Sequence, residues 1–127
     1  MKALSVRQPY ATLIATGEKT IEWRSWKTPH RGALMICSSV SWAEGEWEIP
    51  EEDMDQFPRG VTLCTVDLVD CRPFRKADMK AAFMGENPGG YAWVLAHPVP
   101  VTSRPIKGKL HLFEVPEPPE AGAKEPG

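Results

Sequence analysis

Hydrophobic positions along the chain fall into short runs, most with period two, separated by turn residues. Lys2–Val6 (KALSV) reads as a strand. The run QPYATLIATG that follows reads as a short helix. Pro9 has no N–H to lose in the first turn, and Gly17 suits a left-handed C-terminal cap. Tyr10 and Ile14, with Ala11 and Leu13, are assigned to its core face. Thr20–Trp26 alternates, Ile21 and Trp23 on one face and Thr20, Glu22 and Arg24 on the other. KTPHRG is a turn, because the residue before Pro29 is pushed extended and Gly32 tolerates positive φ. Ala33–Ser39 is nearly all apolar, hence a buried strand. Gly60–Phe74 carries the longest strand signal; Val61, Leu63 and Thr65, then Val66 and Leu68, imply a bulge that switches faces. Arg75–Phe83 reads as a short helix and GENPGG as a loop. Tyr91–Val101 is a strand that Pro98 and Pro100 end or push to an edge. A turn at Gly108 then leads to a last strand, Leu110–Val115.

Five or six strands with two short helices predict an α+β, mostly β fold, a small closed or nearly closed β barrel. At 127 residues the chain is expected to be one domain, 1–115. The Pro- and Glu-rich remainder, 116–127, has almost nothing apolar to offset its ordering entropy and is expected to be a disordered tail. No apolar run reaches membrane-spanning length, and the N-terminus lacks a signal peptide's apolar stretch. Cys37, Cys64 and Cys71 are odd in number and form no C-x-x-C pair. They predict buried thiols and a reducing, cytoplasmic setting rather than a disulfide framework.

Net charge is −2, against a broadly basic surface. Its distribution is uneven. Residues 40–58 hold seven acids and no Lys or Arg, with Trp42, Trp47, Ile49, Met54 and Phe57 expected to hold the segment on the domain. Residues 17–32 hold Lys19, Arg24, Lys27 and Arg31 against two acids. The His and Cys spacings fit no metal site, and no phosphate-cradling glycine loop or nucleophile elbow is present, so neither metal nor cofactor is expected. Two readings of Lys19, Glu22 and Arg24 stay open on composition. One is a solvated strand face whose Glu–Arg pair contributes a few tenths of a kcal/mol. The other is a cleft in which Lys19 and Arg24 supply cations, Glu22 orients them and Trp26 offers a stacking plane worth roughly 1–3 kcal/mol per base. Gln8 is either a helix-start residue or part of that site, and Tyr91 either core or rim.

The run G-x-K-x-x-E-x-R (Gly17, Lys19, Glu22, Arg24), preceded by Gln8-Pro9-Tyr10-Ala11 and followed by RSWKTPHRG, resembles the ASCH domain family. The closing GGYAWVLAHPVPV and PIKGKLHLFEV also look like the family's last strands. The resemblance covers roughly residues 2–115. It implies a PUA-like barrel with a cleft lined by the Lys19–Arg24 segment, and binding of RNA, DNA or a nucleotide, often in translation or transcription. Lys19, Arg24 and Arg31 would then contact phosphate or a base edge, Glu22 would fix their geometry, and Trp26 and Tyr91 would stack; Gln8 and His30 complete the candidate set.

Some ASCH proteins are similar to amidohydrolases that deacylate N4-acylcytidine. That resemblance implies Lys19 as base or nucleophile with Glu22 or Glu86 moving protons, although Glu22 stands where those enzymes carry Thr. Other members have been described as ribonucleases, for which no general-base His stands out here. A third reading is a protein-interaction domain that uses the acidic, Trp-bearing segment.

Overall fold

Residues 1–45 and 47–119 are described by a computed structural model. Eight elements carry the fold: β1 (Lys2–Gln8), α1 (Tyr10–Thr16), β2 (Ile21–Arg24), β3 (Gly32–Trp42), β4 (Thr62–Pro73), α2 (Met79–Ala82), β5 (Tyr91–Pro100) and β6 (Phe113–Glu114). The strands form one sheet in the order β2-β5-β4-β3-β1-β6, antiparallel except for the β1–β3 pair. α1 supplies the crossover side of that arrangement and packs across β1, β3, β4 and β5.

Period-two burial builds the core. Leu4 and Val6, Leu34 and Ile36, Cys64, Val66 and Leu68, and Trp93 and Leu95 point to one face of the rolled sheet, where Ala11 and Ile14 of α1 close over them. Each fully buried aliphatic side chain there contributes on the order of 1.5–3 kcal/mol. Ala3, Met35 and Cys37 point the other way, onto Phe113 and Val115. Helix α1 ends as its sequence predicts: Gly17 is left-handed at φ 84°, and its N–H donates to the Ile14 carbonyl.

The mostly-strand α+β expectation holds, but the sheet is not closed into a barrel. The outer strands β2 and β6 have four and two residues and share no ladder. The sheet nevertheless rolls far enough for one side chain to span the seam, since Arg24 Nη2 on β2 donates to the Ser5 carbonyl on β1 at 2.9 Å. The last strand is shorter than expected because Leu110 is exposed and His111 is left-handed at φ 63°, which interrupts extended pairing before Phe113. In β4 the buried set is Thr62, Cys64, Val66 and Leu68, not Val61 and Leu63. Register with β5 does slip between Thr65 and Asp67, yet burial continues on one face.

Residues 75–83 form a 3-10 turn, Lys76–Asp78, running into α2. Buried Asp78 holds this corner, taking both ends of the Arg72 guanidinium at 2.7 and 2.9 Å and the Arg75 N–H at 2.9 Å. The acidic segment does lie on the domain. Trp47 meets Tyr10 edge-on at 5.4 Å and Trp42 meets Phe57 at 5.9 Å. Of the tail expected from 116 on, Pro118 is buried, and residues 120–127 lie outside the described residues. No helix among the described residues is long and apolar enough to cross a membrane.

Gly90, before β5, is packed tightly against β2. It has φ 75°, and a Cβ there would sit 2.8 Å from both the Arg24 carbonyl and Trp23 Nε1. Gly90→Ala is expected to destabilise the fold by about 1–3 kcal/mol through backbone strain and this overlap. Urea unfolding checks it, with a midpoint equal to wild type as the contrary result.

Candidate functional site

The loop after α1 delivers Lys19 to the start of β2, and the strand then places Glu22 and Arg24 on one face. Three backbone bonds fix this approach: Lys19 N–H to Leu13, Thr20 N–H to Ala81, and Leu95 N–H to Thr20. β2 pairs with β5 in the register Glu22–Trp93 and Arg24–Tyr91.

Lys19, Glu22 and Arg24 form one ion chain rather than a solvated face. Lys19 and Glu22 are 3% and 7% exposed. Lys19 Nζ donates to the Ile21 and Ala82 carbonyls at 2.7 and 2.6 Å and lies 3.4 Å from Glu22 Oε1. Glu22 Oε2 accepts Arg24 Nε and Nη2 at 3.0 and 2.8 Å. One carboxylate thus bridges two cations, leaving the chain with one net positive charge. Lys19 Nζ also lies 5.1 Å from the Tyr10 ring centre. Burial pulls Lys19 below the ordinary lysine range; the Glu22 charge and hydrogen bond oppose this and Arg24 adds to it. Burial, and then Glu22, raise the Tyr10 phenol.

Three acceptors around Lys19 Nζ match the three N–H bonds of an ammonium. A nucleophilic amine would need a free lone pair, and this geometry offers it none. The described residues also include no group of three His, Cys, Asp or Glu side chains placed to hold a metal ion.

The chain forms the floor of an open cleft of about 930 Å³. Of the residues proposed from sequence, Lys19, Glu22, Arg24 and Trp26 line it. Gln8, His30, Arg31 and Tyr91 do not. Gln8 is fully buried, and its amide is spent on Thr12 and the Pro58 carbonyl, which locks the start of α1 to the acidic segment. His30 Nε2 lies 2.8 Å from the Ala33 carbonyl. Arg31 donates to the Thr28 and His30 carbonyls. Tyr91 packs against the main core. Glu86 is exposed and outside the cleft. Trp26 is at the site but not bare: Trp93 meets it edge-on at 4.8 Å and His111 covers it at 4.8 Å with a 53° tilt. The outward ring is therefore His111.

Sequence reasoning missed Tyr10, which lines the cleft as well as the core. It also missed Arg7, Ser38–Ser41, and the Lys107–His111 loop. Arg7 follows the period-two pattern of β1 outward, so alternation carried a signal. The loop lies more than eighty residues from the motif, and only the rolled topology brings it there. Altogether the cleft gathers Arg7, Lys19, Arg24, Lys107 and Lys109 against Glu22 and Glu44.

The α+β, mostly-strand sheet is the PUA-like fold of ASCH domains. The ASCH domain model matches residues 4–105, and the chain belongs to that family. It is 30% identical over 138 aligned positions to human activating signal cointegrator 1 and 29% identical over 136 to the mouse protein. Both alignments take in 96% of this chain but only 23% of the relatives, so the chain spans about a quarter of their length. Crystal structures of an ASCH protein from Zymomonas mobilis share the fold. One variant gives a TM-score of 0.64 at 13% identity, covering 96% of this chain and 92% of that one. The unaltered protein gives 0.58 at 14%, covering 91% and 87%.

Glu22→Gln leaves two cations facing each other in a dry site and is expected to destabilise the fold by about 3–5 kcal/mol, read by urea unfolding. Lys19 gives a pH test. Its folded-state affinity for a proton lies below the unfolded value of 10.5, so the unfolded chain binds more protons in that window. Stability from this group therefore rises with pH on approach to 10.5. Lys19→Met is expected to remove that rise, and an unchanged slope in chemical denaturation between pH 8 and 10.5 would count against it.

Proposed function

We propose that this ASCH domain binds nucleic acid, with RNA as the first ligand to try, through the cleft over Lys19, Glu22 and Arg24. One observation carries the reading: a protein of net charge −2 collects five cations against two carboxylates in a single cleft. That local field suits a polyanion. Lys19 has its donors committed, so it acts by charge and by holding Glu22. Arg24 is the half-exposed member, and no described residue accepts from its Nη1. Arg7, Lys107 and Lys109 are exposed at the mouth. These four are the phosphate contacts we assign, and Ser39 and Ser41 add neutral donors. Family membership supports the reading. The relatives' name, activating signal cointegrator, fits a setting in transcription beside protein partners. Buried thiols at Cys37 and Cys64, pushed up to about 11 and about 12 by burial, fit a reducing, cytoplasmic setting.

Hydrolysis of an N4-acylcytidine has less support. The base or nucleophile it needs, Lys19, is surrounded by acceptors, and Glu86 is outside the cleft.

Fluorescence anisotropy of a labelled 12-nucleotide RNA tests the proposal at several salt concentrations. With three or four phosphate contacts, log K is expected to fall against log salt with a slope of about −2 to −3. Arg7→Ala with Lys107→Ala and Lys109→Ala should flatten the slope to about −1 or less, the residue Arg24 alone would give. Salt-independent binding, or none, sinks the proposal.

A further inference from the structure

Five large hydrophobic side chains are notably exposed among the described residues: Val40, Met54, Val69, Phe83 and Leu110. The two most exposed, Leu110 at 88% and Val40 at 72%, both line the basic cleft. Scattered surface hydrophobics need no explanation, but two at one charged cleft do. They come from distant elements. Val40 lies on β3 beyond its ladder with β4, which ends at Cys37–Thr62. Leu110 lies in the loop before β6.

The Leu110 loop is held on both sides. At Gly108 the backbone passes so close to β1 that a Cβ would sit 2.6 Å from Ser5 Oγ. At His111 the backbone is left-handed, φ 63°, and the ring lies on Trp26 at 4.8 Å. A non-glycine residue at positive φ is uncommon, though His tolerates it better than most. Between these two anchors Leu110 projects outward with Lys109 beside it and Lys107 three residues before. Val40 is braced from behind, its side chain lying where a Cβ on Gly60 would come within 3.2 Å.

An apolar tip flanked by lysines fits a ligand that offers anionic groups and bare apolar faces side by side. Unpaired nucleotides do this; in a duplex the base faces are stacked away and only the phosphates remain. We propose, building on the nucleic-acid reading above, that Leu110 and Val40 engage an unpaired base step, Leu110 as a wedge, while Lys107 and Lys109 hold the flanking phosphates. The occupant is single-stranded nucleic acid, and His111 on Trp26 is the ring on which a displaced base rests. Proteins elsewhere use leucine wedges to part base steps and aromatic rings to receive bases.

The test uses the full chain and a 12-nucleotide strand carrying one central 2-aminopurine, alone and in a blunt duplex. Leu110→Ser and Val40→Ser are surface changes, and thermal melts should match wild type. The single strand is expected to bind at least about fivefold tighter than the duplex, with Leu110→Ser lowering single-strand affinity about fivefold and leaving duplex affinity unchanged. Aminopurine fluorescence should rise on binding wild type, as its neighbours unstack, and not on binding Leu110→Ser. Equal affinity for strand and duplex, or a Leu110→Ser variant that binds and unstacks like wild type, overturns this inference while leaving nucleic-acid binding in place. Failure to bind either form, with saturable binding of a labelled acidic amphipathic peptide instead, overturns both.

Discussion

Everything at the cleft depends on one carboxylate. Glu22 is buried between Lys19 and Arg24 and pairs with both. Lys19 reaches back to the Ala82 carbonyl at the end of α2, and Arg24 reaches forward to Ser5 on β1. A single anion thereby ties the edge strand β2 to a helix on one side and to the far part of the sheet on the other. Buried ion chains of this kind are poor sources of net stability, because desolvation consumes most of the Coulomb gain. Their effect here is positional: the chain fastens β2 to α2 at Ala82 and to β1 at Ser5.

That constraint explains why the cleft lies at the seam. A fully closed barrel would have filled the gap with a backbone ladder and a continuous wall. Here the outer strands stop short, one guanidinium spans the opening, and the space beside it stays accessible. The rim then draws on whatever the roll of the sheet brings near: Arg7 from β1, serines from the end of β3, and the Lys107–His111 loop. Of the described acids between residues 40 and 58, Glu44 alone lines the cleft. Segregating charge in this way gives a slightly acidic protein a basic pocket.

Much of this was legible in the sequence wherever a local rule governed. Gly17 ended α1, alternation placed Glu22 and Arg24 together, and the apolar run from Ala33 became the central strand. Local rules failed where distant segments meet. Gln8 was a candidate because it opens the Gln8-Pro9-Tyr10-Ala11 run before the motif, yet its amide serves a carbonyl fifty residues away. Arg31 and His30 follow the motif closely, but the turn at Pro29 sends them off to satisfy nearby carbonyls. Trp26 lines the cleft, while its covering by His111 follows from a loop that no spacing rule connects to it. The barrel does not close because β6 pairs only with β1 and β2 only with β5, so the two outer strands never meet.

The prolines of β5 have an effect beyond ending a strand. β2 covers β5 only from Tyr91 to Val94, and the Leu95 N–H finds Thr20, so the remainder of that edge from Ala96 onward has no neighbouring strand. An uncovered edge is a template on which a second copy could zip. Pro98 and Pro100 present no N–H there, and His97 at φ 54° breaks the extended backbone just before them. Three successive interruptions within five residues make this edge unreadable to another strand. The same short β2 that leaves room for a cleft would otherwise leave a sticky flank, and the sequence closes that route to self-association without adding a single residue of cover.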